Sequence, residues 1–130
     1  MSHRPAVFLI IFVGGGIGSI LRHAVNQAST AIFGVNFPSG TLLVNIIGSF
    51  CMGLLAGWFA FRGRSDHSLQ LFLATGVVGG FTTFSAFSLD AALLCERGQV
   101  GVATLYVVAS VVVAIVGVFV GLGVIRSLLS

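Results

Sequence analysis

Gly79-Gly80-Phe81-Thr82-Thr83-Phe84-Ser85-Ala86-Phe87 lies in the middle of an apolar segment, Leu69 to about Leu94, long enough to cross a bilayer of ~30 Å. Adjacent glycines loosen a helix backbone, and adjacent threonines offer hydroxyls that compete for its hydrogen bonds. In hydrocarbon, a free N–H or C=O costs several kcal/mol unless it lines a cavity or is buried in protein. A spanning helix interrupted at the midplane is therefore the sort of place where membrane proteins hold ions or substrates. The nonapeptide predicts a third span broken at its centre and a chain that moves or binds a small ion inside the membrane.

Composition sets the same scene. Hydrophobic residues make up 57% of 130 positions and charged residues 7%, with a mean hydropathy of +1.14. Such a chain belongs in a membrane. Its cations are all arginine, Arg4, Arg22, Arg62, Arg64, Arg97 and Arg126, and its acids are Asp66, Asp90 and Glu96. Most fall at the ends of apolar segments or in links. The basic pI near 9.7 therefore reads as contact with lipid headgroups and disfavours a nucleic-acid partner.

Four apolar segments fit the length of a span: Ala6 to Leu21, Thr41 to Phe61, Leu69 to Leu94 and Val100 to Ile125. The expected fold is all-α, a single four-helix transmembrane domain covering residues 1–130. Gln27 to Gly40 is read as a polar link, with Pro38 starting the second helix. Arg62 to Ser68 forms the next link, with Ser68 as N-cap, and Glu96-Arg97-Gly98-Gln99 is a tight turn before the last helix. Arg4 ahead of an apolar run resembles a signal peptide, but Gly14, Gly15, Gly16 and Gly18 suit helix packing better than a signal core. Nor do they form a dinucleotide fingerprint, because Ser19 stands where the third glycine belongs and no strand precedes it.

Gly14…Gly18, Gly53…Gly57 and Gly117…Gly121 share the G-x-x-x-G spacing that lets helix backbones approach closely. Packing within one chain and packing between chains are both open on spacing alone. Four helices leave little room for an aqueous path, so a homodimer is the natural way to build one. With the N-terminus inside, Arg4, Arg62, Arg64 and Arg126 face one side, and Arg22 and Arg97 the other. That bias is weak for a rule driven by loop arginines. It leaves room for insertion both ways and an antiparallel pair, although charge alone favours a single orientation.

Polar residues within the spans are neutral. Thr41, Asn45 and Ser49 recur every four residues and share a face of the second helix; Tyr106 and Ser110 repeat that spacing in the fourth. The third segment adds Thr82, Thr83, Ser85 and Ser88. Hydroxyls of this kind often serve as interhelical glue at ~0.6 kcal/mol per contact. Asn45 is more telling, because its amide is expensive to bury unpaired. His3, His23 and His67 all flank the spans, and Cys51 and Cys95 belong to no cysteine–histidine cluster. No metal set or catalytic triad is expected inside the bilayer, and an enzyme is disfavoured. Asp90 is the one acid expected within a span, a functional suspect by default unless it lies in a wet vestibule near the helix end.

Three motifs carry a family resemblance over nearly the whole chain: Gly15-Gly16-Ile17-Gly18-Ser19-Ile20-Leu21-Arg22, Gly40-Thr41-Leu42-Leu43-Val44-Asn45-Ile46-Ile47-Gly48-Ser49 and Gly79-Gly80-Phe81-Thr82-Thr83-Phe84-Ser85. The chain resembles the CrcB/Fluc fluoride channels. That resemblance implies a dual-topology antiparallel homodimer in the bacterial cytoplasmic membrane, with two fluoride pores and one central sodium ion. The sodium would rest on the backbone carbonyls of Gly79 and Thr82. The pore set implied is Asn45, Phe84, Phe87, Ser85, Thr83, Tyr106 and Ser110, with Asp90 and Arg22 in the vestibules. Asp90 stands where the family often has glutamate, which weakens the transfer of that role.

The residue chemistry is compatible with fluoride. A small, tightly hydrated anion needs donors to replace its water, which Asn45 and the hydroxyls supply. Aromatic rings present a positive edge, although ordinary core packing is the commoner fate of phenylalanine. Two other function classes share parts of this pattern. A small multidrug-type antiporter calls for a carboxylate in the first span, where none occurs, and a non-transporting assembly subunit needs only the glycine motifs.

Overall fold

A computed structural model describes residues 5–62 and 67–130 of the chain. Helix α1 covers Pro5–Phe33 and α2 covers Ser39–Arg62. A third helical run begins as α3, His67–Gln70, widens into a π-helical segment, Leu71–Val78, and ends as the short α4, Gly79–Phe81. Helix α5 covers Phe84–Glu96 and α6 covers Val100–Leu129. Together these give four stretches long and apolar enough to cross a membrane, taking His67–Glu96 as one. The chain is an all-helical, multi-pass membrane protein.

The first helix corrects the expected boundaries. It does not end at Leu21 but runs on to Phe33, and the link expected from Gln27 shrinks to residues 34–38. Nothing between Arg22 and Phe33 breaks a helix, and the chain turns only at Gly34, whose φ of +84° suits glycine. As a result His23, expected to flank the span, sits inside α1. Pro38 accepts the Leu42 N–H at 3.3 Å, so it opens α2 as the capping carbonyl. Ser68, expected as an N-cap, lies within α3. Arg97, Gly98 and Gln99 turn the chain into α6, with Gly98 at φ +80°. Arg4, Arg64 and Asp66, named among the charges, and His3, expected to flank the first span, lie outside the described residues.

The glycine motifs pack within the chain. Helix α1 lies along the π-helical segment and α4, and α2 lies along α6. A Cβ on Gly14 would fall 2.7 Å from the Phe72 carbonyl and 3.0 Å from Gly76 Cα, and one on Gly18 would strike the Val77 carbonyl. On the other pair, a Cβ on Gly53 would meet the Val118 carbonyl and one on Gly121 the Phe50 carbonyl. Small residues thus set backbone-to-backbone distance. Helix α5 joins α6 through Phe87, Leu94, Ala103 and Tyr106. The π coil has no counterpart in the sequence reading, since nothing in Leu71–Val78 distinguishes it from an α-helix.

Much of the outer surface is apolar. Phe8, Phe12 and Ile20 on α1, Phe84 on α5 and Phe119 on α6 are all exposed in the single chain. Such a surface is suited to lipid or to another protein face, not to water.

Candidate functional site

The helical run stops at Phe81. Thr82 (φ −85°, ψ 159°) and Thr83 (φ −153°, ψ 121°) are extended, and α5 begins at Phe84. Side chains take up the backbone groups that such a stretch releases. Asn45 reaches across from α2 and grips Thr83 at two points. Its Oδ1 accepts the Thr83 N–H at 2.8 Å and its Nδ2 donates to the Thr83 carbonyl at 3.0 Å. The Thr83 hydroxyl accepts the Ala86 N–H at 3.2 Å, an N-cap for α5. The Thr82 N–H and hydroxyl both donate to the Val78 carbonyl, at 3.1 and 3.2 Å. Gly48 makes the approach possible, because a Cβ there would strike the Thr82 methyl.

Two carbonyls are affected by this pattern. In an uninterrupted α-helix the Thr83 N–H would donate to the Gly79 carbonyl and the Ala86 N–H to the Thr82 carbonyl. Both donors go to side-chain oxygens instead. Between them, the Gly80 carbonyl accepts from Arg22 Nε at 3.1 Å. Gly79 also borders a hollow of about 670 Å³ shared with Gly15, Gly16 and Ser19 of α1.

The extended pair itself borders a cavity of about 390 Å³. Asn45, Thr83, Phe84, Phe87 and Ser110 all line it, together with Ser49 and Met52. None of its lining residues is charged. The Phe84 and Phe87 rings sit 5.5 Å apart; Phe87 is buried, whereas Phe84 is 77% exposed, so the cavity opens past Phe84 in the single chain. Ser110 is only 5% exposed, and its hydroxyl has no hydrogen-bond partner. A buried polar atom left unpaired needs a physical explanation.

A second cavity, of about 380 Å³, contains Asp90 with Thr41, Asn26, Thr30 and Arg97. Tyr106 stands between the two. Its ring packs 5.4 Å from Phe87 and edge-on to Phe37 at 5.6 Å, while its hydroxyl donates to Asp90 Oδ2 at 3.2 Å. The stripe of Thr41, Asn45 and Ser49 accordingly spans both cavities.

The structure thus brings five of the seven expected pore residues to one cavity and packs Tyr106 behind Phe87 of its lining. Ser85 lines neither cavity; its hydroxyl lies 3.3 Å from that of Thr83. Arg22, expected like Asp90 in a vestibule, engages Gly80 and approaches Ser19 Oγ at 3.5 Å. Ser49, Gly48 and Arg97 were not singled out for the site. The four-residue stripe pointed to Ser49, but Gly48 and Arg97 show their place only once helices are assembled.

A family model described as CrcB-like protein, Camphor Resistance (CrcB), matches residues 9–122. The chain belongs to the CrcB-like family. Among its relatives is the Fluoride-specific ion channel FluC 2 of Nitrobacter hamburgensis, 56% identical over 121 residues, covering 93% of this chain and 98% of that protein. The Fluoride-specific ion channel FluC of Rhodopseudomonas palustris strain BisB5 is 54% identical over 121 residues, with the same coverage of both chains. That of Methylobacterium nodulans is 55% identical over 118 residues, covering 91% of this chain and 94% of its own. These family members are named for ion conduction, not for catalysis.

Proposed function

We propose that this chain forms a fluoride-selective channel that lets fluoride leave the bacterial cytoplasm passively across the inner membrane, relieving fluoride toxicity. The observation that carries this reading is the uncharged cavity in which Asn45, the Phe84 and Phe87 rings and the unpartnered Ser110 hydroxyl meet. A dehydrated anion needs neutral donors and positive ring edges. A carboxylate in the same cavity would repel it, and none is present among its lining residues. Membership in a family whose relatives are named fluoride-specific channels supports the choice of ion.

The proposed working unit is an antiparallel homodimer with two pores. The exposure of Phe84 and of the α1 face is consistent with a second copy completing the path. At the interruption of the third span, a sodium ion would rest on the Gly79 and Thr82 carbonyls of both copies, where it would supply positive charge and hold the subunits together. Those carbonyls fit the role, because their regular helical donors are engaged elsewhere and carbonyl oxygens are hard ligands. Half-helix C-termini holding cations and N-termini facing anions is a recurring membrane arrangement. Asp90 would occupy a vestibule with Arg97, and lipid would cover the outer apolar surface.

Flux into liposomes tests the proposal. Purified protein should carry electrogenic fluoride current without a coupled ion and pass chloride far more slowly. Proton-coupled exchange of organic cations would point to an antiporter, and no transport of either kind to an assembly subunit.

A further inference from the structure

We propose that Asn45 and the Thr83 hydroxyl are positioning residues for the cation site: they make its ligands available by taking the two amide protons that would otherwise occupy them. The inference rests on the sodium reading above and adds the residues that tune it. Each carbonyl has its own side chain in charge. Asn45 Oδ1 holds the Thr83 N–H at 2.8 Å and so keeps it from the Gly79 carbonyl four residues back. Thr83 Oγ1 holds the Ala86 N–H at 3.2 Å and keeps it from the Thr82 carbonyl. The Asn45 Nδ2 contact to the Thr83 carbonyl, at 3.0 Å, fixes the amide so that its oxygen points at the Thr83 N–H.

The arrangement is selective. Of the carbonyls beside that of Gly79, the one of Val78, last in the π-helical segment, accepts from Thr82 twice and the one of Gly80 accepts from Arg22. Gly79 lies between them with its regular donor drawn away. Asn45 therefore belongs both to the anion cavity, which it lines, and to the cation site, which it touches only through the backbone. A residue that merely lined an anion path would affect fluoride and leave cation affinity alone.

Aspartate and alanine at position 45 separate these roles. Asn45→Asp keeps an acceptor for the Thr83 N–H, whereas Asn45→Ala removes it and lets that N–H return to Gly79. Both should abolish fluoride flux. Cation affinity should split them, read as the sodium-dependent rise in melting temperature of the purified protein, with N-methylglucamine replacing sodium. Wild type and Asn45→Asp should show the rise, and Asn45→Ala should need about tenfold more sodium, the effect of one backbone hydrogen bond regained. Thr83→Val should weaken sodium likewise and Thr83→Ser should restore it, which keeps the test open if Asn45→Ala does not fold. Wild-type sodium affinity in folded Asn45→Ala or Thr83→Val overturns the inference alone. Absence of any sodium effect on the wild type overturns the cation site itself, and the inference with it.

Discussion

Ser110 offers the most direct test at the level of single residues, because its hydroxyl is buried without a partner. Removing an unsatisfied group relieves a desolvation cost, so Ser110→Ala should leave the fold as stable as before or raise its stability by about 1 kcal/mol. If the hydroxyl donates to fluoride, flux should fall about tenfold or more, the range for a hydrogen bond to a charged group. Melting and liposome flux measured on the same preparation separate the two effects. Phe84→Ile and Phe87→Ile keep apolar bulk but lose the ring edges, and each should reduce flux. Phe87→Ile should also lower melting temperature, since that ring is buried against Tyr106, while Phe84→Ile should not. Asn45 and Ser110 were legible as stripes at helical spacing. The two-point grip on Thr83 was not, because it joins residues 38 positions apart and depends on Gly48 admitting Thr82.

At the level of helices, glycine position decides which substitutions the bundle accepts. Gly121 and Gly123 are near neighbours on α6 with opposite surroundings. A Cβ on Gly121 would press on the Phe50 carbonyl and the Leu54 N–H, whereas one on Gly123 would meet nothing within 4 Å. Gly121→Ala should therefore destabilise the protein by about 1–3 kcal/mol, as overpacking does. Gly123→Ala should be neutral or stabilising by up to about 1 kcal/mol through helix propensity. Thermal melting in detergent checks both. The G-x-x-x-G spacing announced close packing but not which helices would meet, since that depends on topology. Helix extents were half legible: hydropathy located all four apolar stretches, yet it ended the first at Leu21 because polarity rises there. The backbone instead obeys Gly34, where a positive φ stops the helix.

For the whole molecule, the proposed antiparallel pair predicts which sides of the membrane the C-terminus reaches. A cysteine tag placed after Ser130 should react with impermeant reagents from both sides if copies insert both ways, and labelling from one side would leave a parallel assembly. The long helices carry a further consequence, this time for the lipid. Helix α6 has 30 residues, about 45 Å at 1.5 Å per residue, and carries no charge before Arg126 near its end. A hydrocarbon layer of about 30 Å cannot accommodate that length upright. Tilting, or a locally thickened bilayer, must absorb the difference at fractions of a kcal/mol per Å. Reconstitution into lipids of increasing acyl length should therefore raise the active fraction, and short-chain bilayers should depress it. Hydrophobic mismatch makes membrane thickness a variable to which this small bundle responds.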